Sequence, residues 1–214
     1  MRYTEDECRY TYHDSCICSS CFGKLTPFAK TACFEAKQGL DFLTPAFSYT
    51  GLYRDIFLAF KFNGKLAYGH LISKAIEEHF KDRDYFSDYS YIVAVPISKQ
   101  RKNERGYNQS RIMAEYVSRA LNIPVIDALV RTKHSLPQSR VESHLRAENV
   151  KDAFKATVKL NGEKVIVFDD IYTTGNTAAE CAKTLVKSGA GGACVVSGAY
   201  IFIDDKDPTV HKFL

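Results

Sequence analysis

The sequence predicts an α/β fold built on a doubly wound parallel sheet, and three observations predict it. Apolar, largely β-branched runs recur at residues 91–96, 123–130, 165–168 and 193–203, the composition of strands covered on both faces. Apolar residues at helical spacing separate several of them, and strand–helix alternation of this kind builds parallel sheets. Two polar loops, 96–110 and 169–177, leave from strand carboxyl ends, where such sheets bind their ligands. Both are expected to face one crevice.

The stretch from Val165 to Thr177 carries most information. Val165-Ile166-Val167-Phe168 reads as a buried strand that Asp169 and Asp170 close. A Thr/Gly turn then opens a helix near Thr177, running through Ala178, Ala179, Cys181, Ala182, Leu185 and Val186. Gly175 lets the backbone fold tightly and turn its N–H groups inward, while Thr173, Thr174 and Thr177 add hydroxyls. Backbone N–H groups at a helix N-terminus form an anion site, most often for phosphate. The adjacent carboxylates repel a bare phosphate and instead suit hydroxyl groups or a metal ion. A phosphate joined to a vicinal diol is a ribose 5-phosphate. No Gly-Lys-Ser/Thr follows Gly175, which excludes a Walker A loop, and the spaced glycines of a dinucleotide fingerprint are missing.

Earlier in the chain, Phe47-Ser48-Tyr49 reads as a short strand and Leu52, Ile56, Ala59 and Phe60 as one helix face. Lys61-Phe62-Asn63-Gly64-Lys65 breaks that helix, with Gly64 as the stop. A second amphipathic helix follows through Leu66, Leu71, Ile72, Ala75, Ile76 and His79. The pair is expected to cover the sheet or form a hood over the site, with Lys61 and Lys65 as solvated helix-end charges. Residues 100–110 read as a polar, basic loop. A helix through Ile112, Met113, Tyr116, Val117, Ala120 and Leu121 comes next.

A length of 214 residues allows one sizeable domain and a small appendage. A cysteine-rich, zinc-finger-like segment is expected over residues 1–35 and the main domain over 45–205. Apolar content of 45% and charged content of 25% describe an ordinary soluble protein. No apolar run reaches membrane-spanning length, and the N-terminus lacks a signal peptide's apolar core. Cys181 and Cys194 fall on apolar elements and read as buried thiols. The other five cysteines lie within the first 33 residues, which argues for metal over disulfides in a reducing cytosol. Cys18 and Cys21 have the CxxC spacing of a zinc knuckle. Their partners must come from Cys8, His13, Cys16 and Cys33, and Cys8 and Cys16 are favoured.

Between residues 99 and 151, eleven Lys/Arg face five Asp/Glu, a net +6 against +4 for the whole chain. This excess lies beside the predicted phosphate site. Pyrophosphate clamping, single-strand backbone binding, or both would use Arg101, Lys102, Arg105, Arg140 and Arg146, with Tyr107 as a stacking face for a base.

Residues 165–177 resemble the thirteen-residue signature of the type I phosphoribosyltransferases, which bind phosphoribosyl pyrophosphate (PRPP). The resemblance implies a type I phosphoribosyltransferase-like sheet with a helical hood. It implies that Asp169 and Asp170 hold the ribose 2- and 3-hydroxyls and that Thr173, Thr174, Gly175, Asn176 and Thr177 wrap the 5-phosphate. Ser98 and Lys99, in the 97–101 loop, would serve the pyrophosphate and its Mg²⁺.

A narrower resemblance follows from Arg105-Gly106-Tyr107-Asn108-Gln109-Ser110, from Gln138-Ser139-Arg140, and from Arg146-Ala147-Glu148-Asn149-Val150 before Ala153-Phe154. These runs are similar to the ComF family, as are Phe47-Ser48-Tyr49 and Phe60-Lys61-Phe62-Asn63-Gly64. Ser15-Cys16-Ile17-Cys18-Ser19-Ser20-Cys21 resembles the finger region of ComFC proteins. What this implies is a cytoplasmic protein of natural competence that helps take up and handle single-stranded DNA. Its partners would be a ComFA-type helicase and DprA, which would bring it to the inner face of the membrane. The first CxxC pair of the family's zinc finger is absent here.

Phosphoribosyl transfer needs a fixed ribose, Mg²⁺ on the pyrophosphate and an activated nucleophile. Purine phosphoribosyltransferases often carry a carboxylate where this chain has Thr173, and an amidotransferase needs an N-terminal cysteine that Met1-Arg2 does not supply. PRPP binding is therefore the firmer expectation, with genuine transfer to an unidentified base or amine as the alternative.

Overall fold

The computed structural model describes residues 19–30, 32–37, 39–63, 65–132 and 150–201. Among these, four strands form one parallel sheet: β1 (Leu43–Ser48), β2 (Tyr89–Ala94), β5 (Lys164–Tyr172) and β6 (Gly192–Tyr200), in the order β1-β6-β5-β2. The two longest strands, β5 and β6, hold its centre. Two short strands, β3 (Leu129–Arg131) and β4 (Phe154–Ala156), make a separate antiparallel ribbon.

Side chains alternate across the sheet, so the apolar run of β5 feeds two cores. Ile166 and Phe168 pack with α2 (Gly51–Asn63), α3 (Leu66–Phe80) and α5 (Gln109–Leu121). Val165 and Val167 pack on the other face with Ala178, Cys181, Ala182 and Leu185 of α6 (Asn176–Lys187). All four β5 residues are fully buried, each stabilising the fold by about 1.5–3 kcal/mol. The three-layer, doubly wound architecture therefore follows from a strand that is apolar on both sides. The expected helical pair is α2 and α3, which cover one face together with α5.

Several elements differ from the expectation. Residues 99–105 are not loop but a helix, α4 (Lys99–Arg105). Its sequence KQRKNER has no apolar face, so periodicity is silent. The Ser98 hydroxyl caps it, accepting from the Arg101 N–H at 3.3 Å, and Gly106 ends it at φ 79°. The strand expected over 123–130 is a single parallel bridge, Ile92 to Val125, after which residues 129–131 turn away into the ribbon. Pro124 lacks the N–H that a continuing ladder requires. The strand expected at 47–49 begins earlier, at Leu43, and accommodates Pro45 because β1 has only β6 beside it in the sheet. In the last strand, β6 covers 192–200, and residues 202 and 203 lie outside the described residues.

The outer side of β1 is not bare. Phe34 and Leu43 exchange backbone hydrogen bonds of 2.8 and 3.0 Å, Phe28 N–H donates to Ala46 O at 3.0 Å, and Ser48 N–H donates to Thr26 O at 2.8 Å. The segment after the single-turn α1 (Ser19–Phe22) thus runs antiparallel along β1. A buried polar knot ties it down. Arg83 donates to the His79 carbonyl at 3.1 Å and reaches Tyr85 and Thr44, while Thr44 Oγ1 donates to the Ala32 carbonyl at 2.9 Å. No described helix is long and apolar enough to cross a membrane.

Candidate functional site

The hollow at the carboxyl ends of the strands is built from four pieces of chain. The first is the turn from β5 into α6. Gly175 sits at φ 73°, the left-handed region that favours glycine. The first hydrogen bond of α6 is Ala179 N–H to Gly175 O at 2.9 Å, so the helix ladder leaves the preceding N–H groups uncommitted. Thr173, Thr174, Gly175, Asn176 and Thr177 all line the hollow. Lys37, from the segment beside β1, donates to the Asn176 side-chain oxygen and holds the turn from behind.

The second piece is the end of β5, which runs on through the carboxylates to Tyr172. By the strand's period of two, Asp169 leaves toward the α6 face and Asp170 toward the α2 face. Both are partly exposed and line the hollow. One oxygen of each accepts the next residue's N–H: Asp170 N–H at 3.0 Å and Ile171 N–H at 2.9 Å. Burial, then the neighbouring Asp170 carboxylate, holds the Asp169 carboxyl well above the usual range, opposed more weakly by the Lys61 ammonium.

The third piece is the Arg105-Gly106-Tyr107-Asn108-Gln109-Ser110 run. Asn108 caps α5, its Oδ1 accepting from Ser110 N–H at 3.1 Å, and its Nδ2 donates to Val95 O at 3.0 Å. That pair of bonds ties the loop to the end of β2. Gln109 and Ser110 are buried beneath the hollow, and Arg105 enters it from α4. Arg105 donates to Gln109 Oε1 at 3.4 Å, and Gln109 Nε2 has no partner among the described residues.

The β3–β4 ribbon brings the fourth piece, Arg131, whose Nε and Nη2 are buried without a hydrogen-bond partner among the described residues. With Lys61, Arg101 and Arg105 it makes four cations against two carboxylates around one hollow. Burial, then the Arg101 charge, lowers the pKa of Arg131, and the same two causes in the same order lower that of Arg105. Burial likewise lowers Lys61, with Asp170 pulling the other way. The guanidinium groups stay charged throughout. Such a site is short of negative charge and suits an anion that also carries hydroxyl groups.

Of the residues expected at the site, Asp169, Asp170, Thr173 to Thr177, Arg101 and Arg105 are together. Ser98 is buried as the α4 cap, while Lys99 and Lys102 point to solvent. Tyr107 stacks on Phe60 with centroids 5.2 Å apart. Arg140, Arg146, Cys8, Cys16 and Cys18 lie outside the described residues. Cys21 packs against the core that includes Phe47, and no group of metal-ligating side chains gathers among the described residues. Lys61 was expected in solvent but enters the hollow, and Gln109, Arg131 and Tyr49 join it. For Lys61, the sequence signal was its place one turn from the end of α2, between two phenylalanines. For Arg131, there was none beyond the local charge.

No family model matches the chain. The DNA utilization protein YhgH of Escherichia coli K12 is 35% identical over 105 residues, 49% of this chain and 46% of that protein. Competence protein F of Haemophilus influenzae is 37% identical over 102 residues, 46% and 44% of the two chains. The matched region thus spans slightly less than half the length of either relative. Competence protein ComFC of Streptococcus pneumoniae is 25% identical over 194 residues, covering 83% of this chain and 84% of that one. These relatives support a ComF-family protein.

Among solved structures, the B. subtilis glutamine PRPP amidotransferase, complexed with ADP and GMP, aligns with a TM-score of 0.37 at 18% identity. It covers 59% of this chain and 25% of that one. A likeness of that size carries no weight, and the fold of this chain rests on its own strands. Within it, the Arg105–Ser110 run that resembles ComF sequences joins β2, the hood and the hollow.

Proposed function

We propose that the hollow binds PRPP with Mg²⁺, and that the protein handles incoming single-stranded DNA during natural transformation with PRPP as ligand or regulator. One observation supports the ligand: buried N–H donors of Arg131 and Gln109 have no partner among the described residues, beside an uncommitted helix N-terminus. A buried unpaired donor costs about 1–3 kcal/mol, and an anion in the hollow removes that cost. In this reading the 5-phosphate takes the turn from Thr173 to Thr177, and the ribose hydroxyls face Asp169 and Asp170. The pyrophosphate then meets Arg101 and Arg105, two of the basic residues expected to clamp it, together with Arg131, while Ser98 caps α4 and Lys99 is exposed. Mg²⁺, when bound, offsets pyrophosphate charge, and carboxylate oxygens are its preferred protein ligands.

The DNA half is supported by relatives whose names concern competence and DNA utilization. The same reading includes a ComFA-type helicase and DprA as partners, a cytoplasmic place at the inner face of the membrane, and a structural Zn²⁺ on Cys8, Cys16, Cys18 and Cys21.

Isothermal calorimetry with Mg-PRPP tests the ligand directly. Heat is expected from the wild type and none from Asp169→Asn with Asp170→Asn; a silent wild type overturns the proposal. The same double variant is expected to lower transformation frequency in the source organism. A second reading, genuine transfer to a base or amine, is supported by Asp169, Asp170 and the Thr173–Thr177 turn lining one hollow but lacks a carboxylate at Thr173. Release of pyrophosphate from PRPP in a screen of acceptors would establish it.

A further inference from the structure

The junction of α2 and α3 exposes three apolar side chains within seven positions: Phe62 (65% exposed), Leu66 (43%) and Tyr68 (38%). The same helices bury Phe57, Phe60, Ile72 and Ile76, so the core does not need these three. Each exposed ring has cations beside it. The Lys61 ammonium lies 5.6 Å from the Phe62 centroid and the Arg105 guanidinium 5.9 Å, while Lys65 lies 5.4 Å from that of Tyr68. No Asp or Glu occurs between Asp55 and Glu77. Because Lys61 and Arg105 also line the hollow, positive charge continues from the hollow to the rings.

We propose that Phe62 and Tyr68 form a base-stacking platform for a single strand of nucleic acid, whose phosphates are drawn along Lys61, Lys65 and Arg105. A single strand presents a flat aromatic face and a negative charge on every unit, which is the complement of rings interleaved with cations. Tyr107 is less available for this, since one ring face is taken by Phe60. An anionic membrane or an acidic protein would use the charge and the apolar contact without requiring a ring. The proposal rests on the reading above for the single strand as partner, and not for what fills the hollow.

The test is fluorescence anisotropy of a labelled oligothymidylate titrated with wild type, Phe62→Ala, Phe62→Leu, Phe62→Tyr and Tyr68→Ala at several salt concentrations. Loss of a stacking ring weakens binding by about five- to hundredfold, so Phe62→Ala, Phe62→Leu and Tyr68→Ala are expected to fall by that amount. Phe62→Tyr keeps wild-type affinity. The salt slope stays unchanged in all of them, since no cation is removed, and the heat of Mg-PRPP binding is retained. Phe62→Leu binding as tightly as the wild type overturns the platform. So does a loss confined to pelleting with anionic vesicles or to self-association. A wild type that binds no oligonucleotide even at low salt overturns the DNA half of the proposed function as well.

Discussion

Tyr107 lies face to face with Phe60, ring centroids 5.2 Å apart and planes 8° from parallel, and its hydroxyl donates to the Phe60 carbonyl at 2.6 Å. The contact joins the loop that carries Arg105 and Gln109 to the helix that carries Lys61. It therefore sets the distance between two walls of the hollow. Tyr107→Phe keeps the stack and loses one hydrogen bond, costing about 1 kcal/mol. Tyr107→Ala loses both, at about 2–3 kcal/mol for a half-buried ring. Urea denaturation reads both values, and Tyr107→Phe is expected to bind oligothymidylate as the wild type does.

Arg131 offers a sharper separation of stability from binding. Its buried donors have no partner among the described residues, and replacing such a group with an apolar one of similar shape is neutral or stabilising. Arg131→Met is expected to hold or raise the melting temperature. Its affinity for pyrophosphate is expected to fall by about ten- to hundredfold, the worth of a hydrogen bond to a charged group. A lower melting temperature with unchanged affinity would make Arg131 a brace against Phe154, whose ring lies 5.4 Å away.

The turn from Thr173 to Thr177 depends on one backbone conformation. An alanine at Gly175 must hold φ 73° with its methyl against the Tyr172 hydroxyl. Gly175→Ala is expected to cost about 1–2 kcal/mol and to abolish the calorimetric heat of PRPP.

His79 makes stability depend on pH. Burial, then the Arg83 and Lys30 charges, pushes its imidazole down from 6.5 to about 3. Above pH 6.5 the ring is neutral in both folded and unfolded chains, and it adds no slope. Between 6.5 and about 3 only the unfolded chain binds the proton, so stability falls as pH falls, by up to about 1.4 kcal/mol per unit. Urea midpoints at pH 7, 6 and 5 are expected to decline, and His79→Gln to flatten the decline.

The central strand, the turn after it, and helices α2, α3, α5 and α6 were legible because burial imposes a period. Where burial does not act, the pattern fails. The all-polar α4 had only its Ser98 cap and Gly106 stop to announce it, and Pro45 and Pro124 gave opposite misdirections at the two edges of the sheet. In the site, Asp169 to Thr177 are contiguous, so local chemistry revealed them. Lys61, Gln109 and Arg131 converge through tertiary packing, which no short window of sequence contains. The exposure of Phe62 and the stacking of Tyr107 on Phe60 were indistinguishable for the same reason.

The antiparallel cover over β1 bears on how the protein can be shortened. Removing the cysteine-rich start as far as residue 24 keeps Thr26, Phe28 and Phe34 on the strand they shield. Cutting to residue 40 strips that shield and leaves a row of amides and carbonyls open to any other chain, a template for sheet-to-sheet aggregation. Light scattering after purification should tell the two truncations apart, with the shorter product sticking to itself as well as losing the Lys37 bond to Asn176 behind the hollow.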